Sequence, residues 1–172
     1  MTLCGLTGSV GMGKSTAAGF FLQSGFQMID TDDLARELVE PGQPALAEIQ
    51  NVFGPGFLTS SGTLNRAGLA RLVFSEPEAR KKLEAILHPR IYERWHAQVD
   101  VWRHQNCPSA MVVIPLLFET GAEADFDKII CAACSPAVQR DRLRDRGWTT
   151  EAIQGRLASH RRQVEEIVKK LN

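Results

Sequence analysis

No stretch of this 172-residue chain approaches the roughly 20 consecutive apolar residues that a helix needs to cross a bilayer. Nor is there an excess of charge, because 20 Lys and Arg offset 20 Asp and Glu. Without a global field to gather polyanions or an anionic surface, neither a nucleic-acid nor a membrane partner is expected. Cysteine is scarce, with four residues at positions 4, 107, 131 and 134. Cys131 and Cys134 form a lone Cys-x-x-Cys, and a zinc ribbon needs a second pair at matching spacing. The pair follows Lys128-Ile129-Ile130 at a strand end instead of opening a helix. Reduced thiols packing as small hydrophobes are therefore expected, not a redox centre. Internal repeats and low-complexity tracts are absent too. The N-terminus runs straight into an apolar segment, which leaves no room for a signal peptide and makes a cytoplasmic protein the expectation. The length suits one domain with a substantial core.

What is present is concentrated near the start. Gly8-Ser9-Val10-Gly11-Met12-Gly13-Lys14-Ser15 fits G-x-x-x-x-G-K-[ST], the phosphate-cradling loop. Glycines let the backbone wrap an anion with several N–H groups pointing inward, and a following helix adds its positive dipole end. Lys14 can reach β- and γ-phosphates, and the Ser15 hydroxyl can ligate Mg²⁺. The flanks agree with this reading. Thr2–Thr7 reads as a buried strand, and Thr16–Leu22 reads as a helix stopped by Ser24-Gly25. A bound nucleoside triphosphate is expected.

Further along, Gln27–Asp30 reads as a second strand ending in the acidic turn Asp30-Thr31-Asp32-Asp33. Helical spacing follows at Leu34, Leu38 and Val39, then at Leu46, Ile49 and Phe53. Residues 64–104 read as helical and strand-free, with Pro89 expected to bend or restart the helix. Strands resume at 110–114 and 127–132, and Ser135-Pro136 opens an arginine-crowded helix. Short apolar strands alternating with helices predict an α/β fold, a parallel sheet covered on both faces. Its ligands then sit beyond the carboxyl ends of the strands, where Gly8, Asp30 and Pro115 fall.

The loop alone does not name a reaction. A guanine-specific Asn-Lys-x-Asp and an Asp-x-x-Gly switch are both missing, and Val112-Val113-Ile114 ends without the carboxylate of a transport or motor ATPase. A small-molecule kinase remains, its helical insert holding an acceptor and a basic lid closing over the phosphates. In that reading one aspartate of the turn takes the acceptor proton or helps hold Mg²⁺. Capping a helix explains any one of the three equally well. From Ser135 to Arg162 seven arginines face three acids, and Arg142 shares a helix face with Arg146. An arginine reaching the γ-phosphate can raise the rate by orders of magnitude.

Several patches, in order, resemble one family. They are Gly5–Thr16, Ile29-Asp30-Thr31-Asp32, Val39-Glu40-Pro41-Gly42, Gly62–Arg66, Leu83–Pro89, Pro115-Leu116-Leu117-Phe118-Glu119, and Gln139 with Arg142 and Arg146. Together they make the chain similar to the dephospho-CoA kinases, which phosphorylate the ribose 3′-hydroxyl of dephospho-CoA to give CoA. The resemblance implies a P-loop kinase fold with ATP and Mg²⁺ as cofactors and dephospho-CoA as the partner. It leaves the oligomeric state open. It divides one domain over 1–172 into a core (1–31 and 105–134), a helical acceptor-binding insert (32–104), a helical lid (135–162) and a C-terminal helix (163–172). It implies ATP contacts from Gly8, Gly11, Met12, Gly13, Lys14, Ser15, Thr16 and Arg146, with Ser15 on the metal. Catalysis would fall to Asp32 as base, Lys14 and Arg142. Thr7, Asp32, Arg66, His88, Leu116, Leu117 and Phe118 would surround the acceptor. A kinase of nucleoside monophosphates, or a nucleotide-binding module without turnover, are the alternatives.

Three departures from the family pattern stand out. Val113 occupies a position where many relatives carry Asp or Glu, and His160 one where Gln is common. The family also continues past the lid into a strand and an Asn-containing loop that helps enclose adenine. Here the chain runs Glu165 to Asn172, so four strands are counted where a fifth is expected. A missing strand would weaken nucleotide affinity and leave an apolar sheet edge open.

Overall fold

A run as continuously apolar as Leu3–Leu6 can be satisfied only inside a sheet with both faces covered. The computed structural model, which describes residues 1–155, puts it there. Strand β1 (Thr2–Thr7) is buried from Leu3 onward and lies between β3 (Ser109–Val113) and β4 (Lys128–Cys131). Strand β2 (Gln27–Asp30) pairs with the far side of β3, giving the all-parallel order β2-β3-β1-β4. Register aligns Leu6 with Val113 and Asp30 with the same Val113. The phosphate loop, the acidic turn and the segment after β3 thus leave the sheet side by side.

Among the described residues, the strands are connected and covered by helices α1 (Lys14–Gln23), α2 (Thr31–Glu37), α3 (Pro44–Phe53), α4 (Arg66–Ser75), α5 (Pro77–His104) and α6 (Pro136–Asp145). Short 3-10 turns lie at Pro55–Phe57 and Ala122–Asp125, and residues 150–155 are again helical. The period-two alternation of the strands sorts the core. Leu3, Ala110 and Val112 face α5, where Trp95, Val99 and Trp102 pack with Leu117 and Phe126. Cys4, Leu6, Met111 and Val113 face α1, meeting Ala17, Ala18 and Phe21. A third cluster, with Val39, Ile49, Leu69 and Ile86, holds the helices between β2 and β3 to one another. Burying each large side chain of this kind contributes about 1.5–3 kcal/mol.

Pro89 does not restart the helix. Helix α5 runs through it for 28 residues. Proline denies Ala85 its usual amide partner and costs about 3 kcal/mol in a helix interior. Packing on both flanks outweighs that cost, because Ile86 is locked into the helical cluster and Trp95, Val99 and Trp102 into the sheet-facing one. Arg90 adds ties on the spot. Its Nη1 donates to the Ile86 carbonyl at 2.6 Å, and its Nη2 meets Glu48 Oε2 of α3 at 2.6 Å. Among the described residues the sheet has four strands, with β4 at its edge. The lid beyond residue 155, Arg156, His160 and the C-terminal helix expected at 163–172 lie outside the described residues.

Candidate active site

The loop expected to cradle phosphate leaves β1 and closes onto α1, whose N-cap is Gly13 at φ 97°. That backbone region suits glycine, and a β-carbon there would also press on the tip of Arg142, 3.0 Å from its Nη1. Gly8, at φ 139°, is tighter still, since a β-carbon would run into the Ala132 carbonyl oxygen just past β4. The Lys14 ammonium folds back over the loop and donates to the carbonyls of Gly8 and, at 3.5 Å, Ser9. Helix α6 grips the loop from the other side. Gln139, almost fully buried, donates its amide to the Val10 carbonyl at 2.8 Å, and Arg142 Nη1 reaches the Gly11 carbonyl at 3.4 Å. Gln139, which in the sequence marks only a patch shared with the family, thus ties α6 to the loop. The signal available was its place one turn before Arg142 and Leu143 on the face of α6 that meets the loop.

The acidic turn resolves into three different jobs. Asp30 is the N-cap of α2, accepting from the Asp32 amide at 2.8 Å. Asp33 pairs with Arg36 at 2.5 Å. Asp32 is exposed, and among the described residues its carboxylate has neither a hydrogen bond nor an ion pair. Capping is therefore accounted for without it. Burial pushes the Asp30 carboxyl above its usual range, its bond from the Asp32 amide opposes this, the Asp32 and Asp33 charges add to the rise, and Lys14 opposes it. A raised native pKa means that the folded state binds the proton more readily, so this group's contribution to stability falls as pH rises through that window. Asp30→Asn retains a capping oxygen. Its thermal stability is expected to equal or exceed that of the parent at pH 7, with the advantage shrinking towards pH 4. Calorimetric melts across that range read the difference directly.

A cleft of about 1480 Å³ runs from the loop to the turn and is lined by Thr7, Lys14, Ser15, Thr16, Asp32, Leu116, Phe118, Arg142 and Arg146. Gly8, Gly11 and Gly13 form part of its wall. A second cavity of about 480 Å³ opens on the far side of Asp32, between α2, α5 and the segment after β3, and takes in His88 and Leu116. Thr7 joins the two sides, since its hydroxyl donates to the Pro115 carbonyl at 3.2 Å. Three residues expected at the site line neither cavity. Met12 turns its sulfur towards the Cys134 amide at 3.4 Å. Leu117 is fully buried in the core against Gly5, which has no room for a side chain there. Arg66 bonds the Arg36 carbonyl at 3.2 Å and Glu40 at 3.4 Å.

With this geometry in place, comparison with known proteins is direct. A family model described as dephospho-CoA kinase matches residues 2–170. The chain belongs to the dephospho-CoA kinase family. Among its relatives, the Bdellovibrio bacteriovorus dephospho-CoA kinase is 40% identical over 159 residues, covering 92% of this chain and 79% of that one. The Moorella thermoacetica enzyme of the same name is 45% identical over 145 residues, covering 83% and 68%. Among solved structures, the Thermus thermophilus protein TT1252 superposes with a TM-score of 0.79 at 32% identity, over 92% of this chain and 79% of its own. The dephospho-CoA kinase from Campylobacter jejuni gives 0.66 at 30% identity, over 98% and 84%.

Val113 is buried in the face of the sheet that packs on α1. The cysteine pair does not pack as expected throughout, because Cys131 is exposed and lines the cleft. Cys134 is half-buried, its thiol donating to the Gly11 carbonyl at 3.6 Å. Position explains the difference. Cys131 ends strand β4, which has a strand on one side only among the described residues, whereas Cys134 lies under the phosphate loop.

Proposed function

We infer that this chain catalyses the reaction of its family, the ATP-dependent transfer of phosphate to the ribose 3′-hydroxyl of dephospho-CoA, giving CoA as the last step of its biosynthesis. The observation that carries this reading is the unpartnered Asp32 carboxylate facing, across one cleft, the loop that carries Lys14. Gly8, Gly11, Met12, Gly13, Ser15 and Thr16 supply the backbone and hydroxyl contacts to ATP phosphates. Lys14 moves from the Gly8 and Ser9 carbonyls to the β- and γ-phosphates. Arg142 and Arg146, already in the cleft, neutralise charge on the transferring group. A ribose hydroxyl is a weak acid and a carboxylate a weak base, so Asp32 orients the hydroxyl and takes its proton late in a loose transition state.

The metal fits the donor set as Mg²⁺ carried by phosphate. Among the described residues no group of three or more His, Cys, Asp or Glu is arranged to hold an ion. Mg²⁺ keeps water and phosphate oxygens and needs few protein ligands, here the exposed Ser15 hydroxyl at the start of α1. On the acceptor side, Leu116, Phe118 and His88 form contact surfaces. Thr7 and Leu117 hold the loop after β3, and Arg66 swings in from Arg36. The helices between β2 and β3 act as the acceptor-binding insert and α6 as part of the lid, in a cytoplasmic enzyme.

The test is ADP release against a panel of acceptors, with and without Mg²⁺. Metal-dependent release with dephospho-CoA is expected, at least about a hundredfold above that with any nucleoside monophosphate. Equal rates with nucleoside monophosphates would move the reading to a general nucleotide kinase. Tight ATP binding without acceptor-dependent release would make this a binding module.

A further inference from the structure

We propose that Phe74 is a positioning residue for the transfer, and that it acts by docking on α1, in the space left by Gly19, once both substrates are bound. The inference rests on the reading above and adds to it a contact between the helical insert and the helix that carries Lys14.

Phe74 has no part in the core of its own helix. Leu69, Leu72 and Val73 of α4 face the helical cluster, whereas the Phe74 ring is 83% exposed, more than any other large apolar side chain among the described residues. It is the α4 residue that reaches the wall of the larger cleft. The same cleft takes in Ala18, Gly19 and Leu22 of α1, whose spacing places them on one helix face, and Met28 of β2. Leu22 is 59% exposed. Apolar groups on separate walls of an open cleft gain from meeting, because each then leaves water.

Gly19 marks the landing place. Its φ lies outside the left-handed region, so the backbone there does not require glycine. Space does not require it either, since a β-carbon would meet nothing within 4 Å among the described residues. Glycine in a helix interior is less favourable than alanine. A ring closing onto the bare backbone gives the residue a purpose that the open cleft does not.

The fold lets α4 travel. The helical cluster and the sheet-facing cluster have no residue in common. Their boundary crosses the chain between Leu34 and Leu38 of α2, and again between Leu87 and Ile91 of α5. Pro89 lies in the second crossing, where the helical ladder lacks one bond. Helices bend at such points. Because α4 packs on α5 and on the turn at Pro55–Phe57, it moves with the helical cluster. Bending at Pro89 then carries Phe74 towards α1, and contact there holds Asp32 and Lys14 at a fixed separation.

The experiment is a size swap read by kinetics and melting. Phe74→Ala should melt within about 2 °C of the parent, as an exposed side chain does, and lower kcat/KM for dephospho-CoA about tenfold or more. Gly19→Leu has room in the open cleft and a better helix former, so it should melt at or above the parent temperature. Its kcat/KM should still fall about tenfold or more, because the landing place is filled. ATP affinity without acceptor should stay within about threefold in both. In the double variant the smaller side chain makes room for the larger, and kcat/KM should recover at least about threefold above Gly19→Leu alone. Losses that multiply to about a hundredfold overturn the contact, as do single variants within about twofold of the parent. Penalties that vanish with an acceptor whose pantetheine arm is shortened also overturn it and give the slot to that arm. Should Gly19→Leu fail to fold, Leu22→Ala takes its place. Its effect should couple with that of Phe74→Ala by about threefold or more, and independent effects sink the proposal. Absence of any turnover of dephospho-CoA by the parent defeats the proposed function itself, and this inference with it.

Discussion

Asp32→Asn should lower kcat by about 10²–10⁴-fold while leaving the folded protein intact, a range typical of losing a positioned proton acceptor. The stability half of this expectation follows from the division of labour in the acidic turn. Asp30, not Asp32, caps α2, and Asp33 has its own partner in Arg36. Removing the Asp32 charge therefore breaks no hydrogen bond among the described residues. Asparagine still presents an oxygen that can accept from the acceptor hydroxyl, so orientation is partly kept and KM for dephospho-CoA should move little. What it cannot do is carry the proton away as phosphoryl transfer completes. The loss should therefore fall on kcat and kcat/KM together, as for an interaction made only in the transition state. ATP affinity, measured by titration calorimetry, should stay within about threefold of the parent. A variant that melts normally and retains a tenth or more of the parental kcat would remove Asp32 from the chemistry.

Lys14→Ala should be the more damaging change for ATP, with kcat/KM for the nucleotide falling about 10³-fold or more. Two losses combine. The ammonium no longer neutralises the phosphates, and the Gly8 carbonyl oxygen loses the cation that covers it in the free protein. It would then present its lone pairs to an incoming polyanion. Lys14→Arg should not rescue activity, because a planar guanidinium differs in shape and hydrogen-bond directions from a compact ammonium, and the loop is hemmed in by α6. Equilibrium ATP binding and single-turnover transfer separate the two losses. Parental values in both for a folded Lys14→Ala protein would mean that the loop holds something other than a triphosphate.

Local chemistry was readable in the sequence where one short segment carries it. The glycine loop, the strand before it and the helix after it form one such segment, and their spacing follows from wrapping an anion. The strand–helix alternation likewise implied a parallel sheet. What the sequence could not convey depends on partners distant along the chain. Whether Asp30, Asp32 or Asp33 caps the helix depends on the entry angle from β2, which its pairing with β3 sets. Pro89 looked like a break because local backbone sterics argue for one, whereas contacts on both flanks of α5 decide the outcome. Leu116, Leu117 and Phe118 read as one apolar patch, yet the turn after β3 sends Leu117 into the core and leaves its neighbours exposed. The second cavity draws its walls from α2, α5 and the segment after β3, so no single motif could reveal it.

Strand β1 has a bearing on how accurately two substrates can meet. Its last residue, Thr7, precedes the phosphate loop by one position and bonds the Pro115 carbonyl, from which the acceptor-side loop departs. Gly5, two residues earlier, lets Leu117 settle against the same strand. Donor and acceptor loops are thus surveyed from one benchmark, and the gap between them is a dimension of the sheet instead of a sum of loop conformations. Near-attack geometry needs tolerances far finer than a free loop can hold. A hydrogen-bonded ladder supplies them, and neither loop can drift from the other while that ladder stays closed.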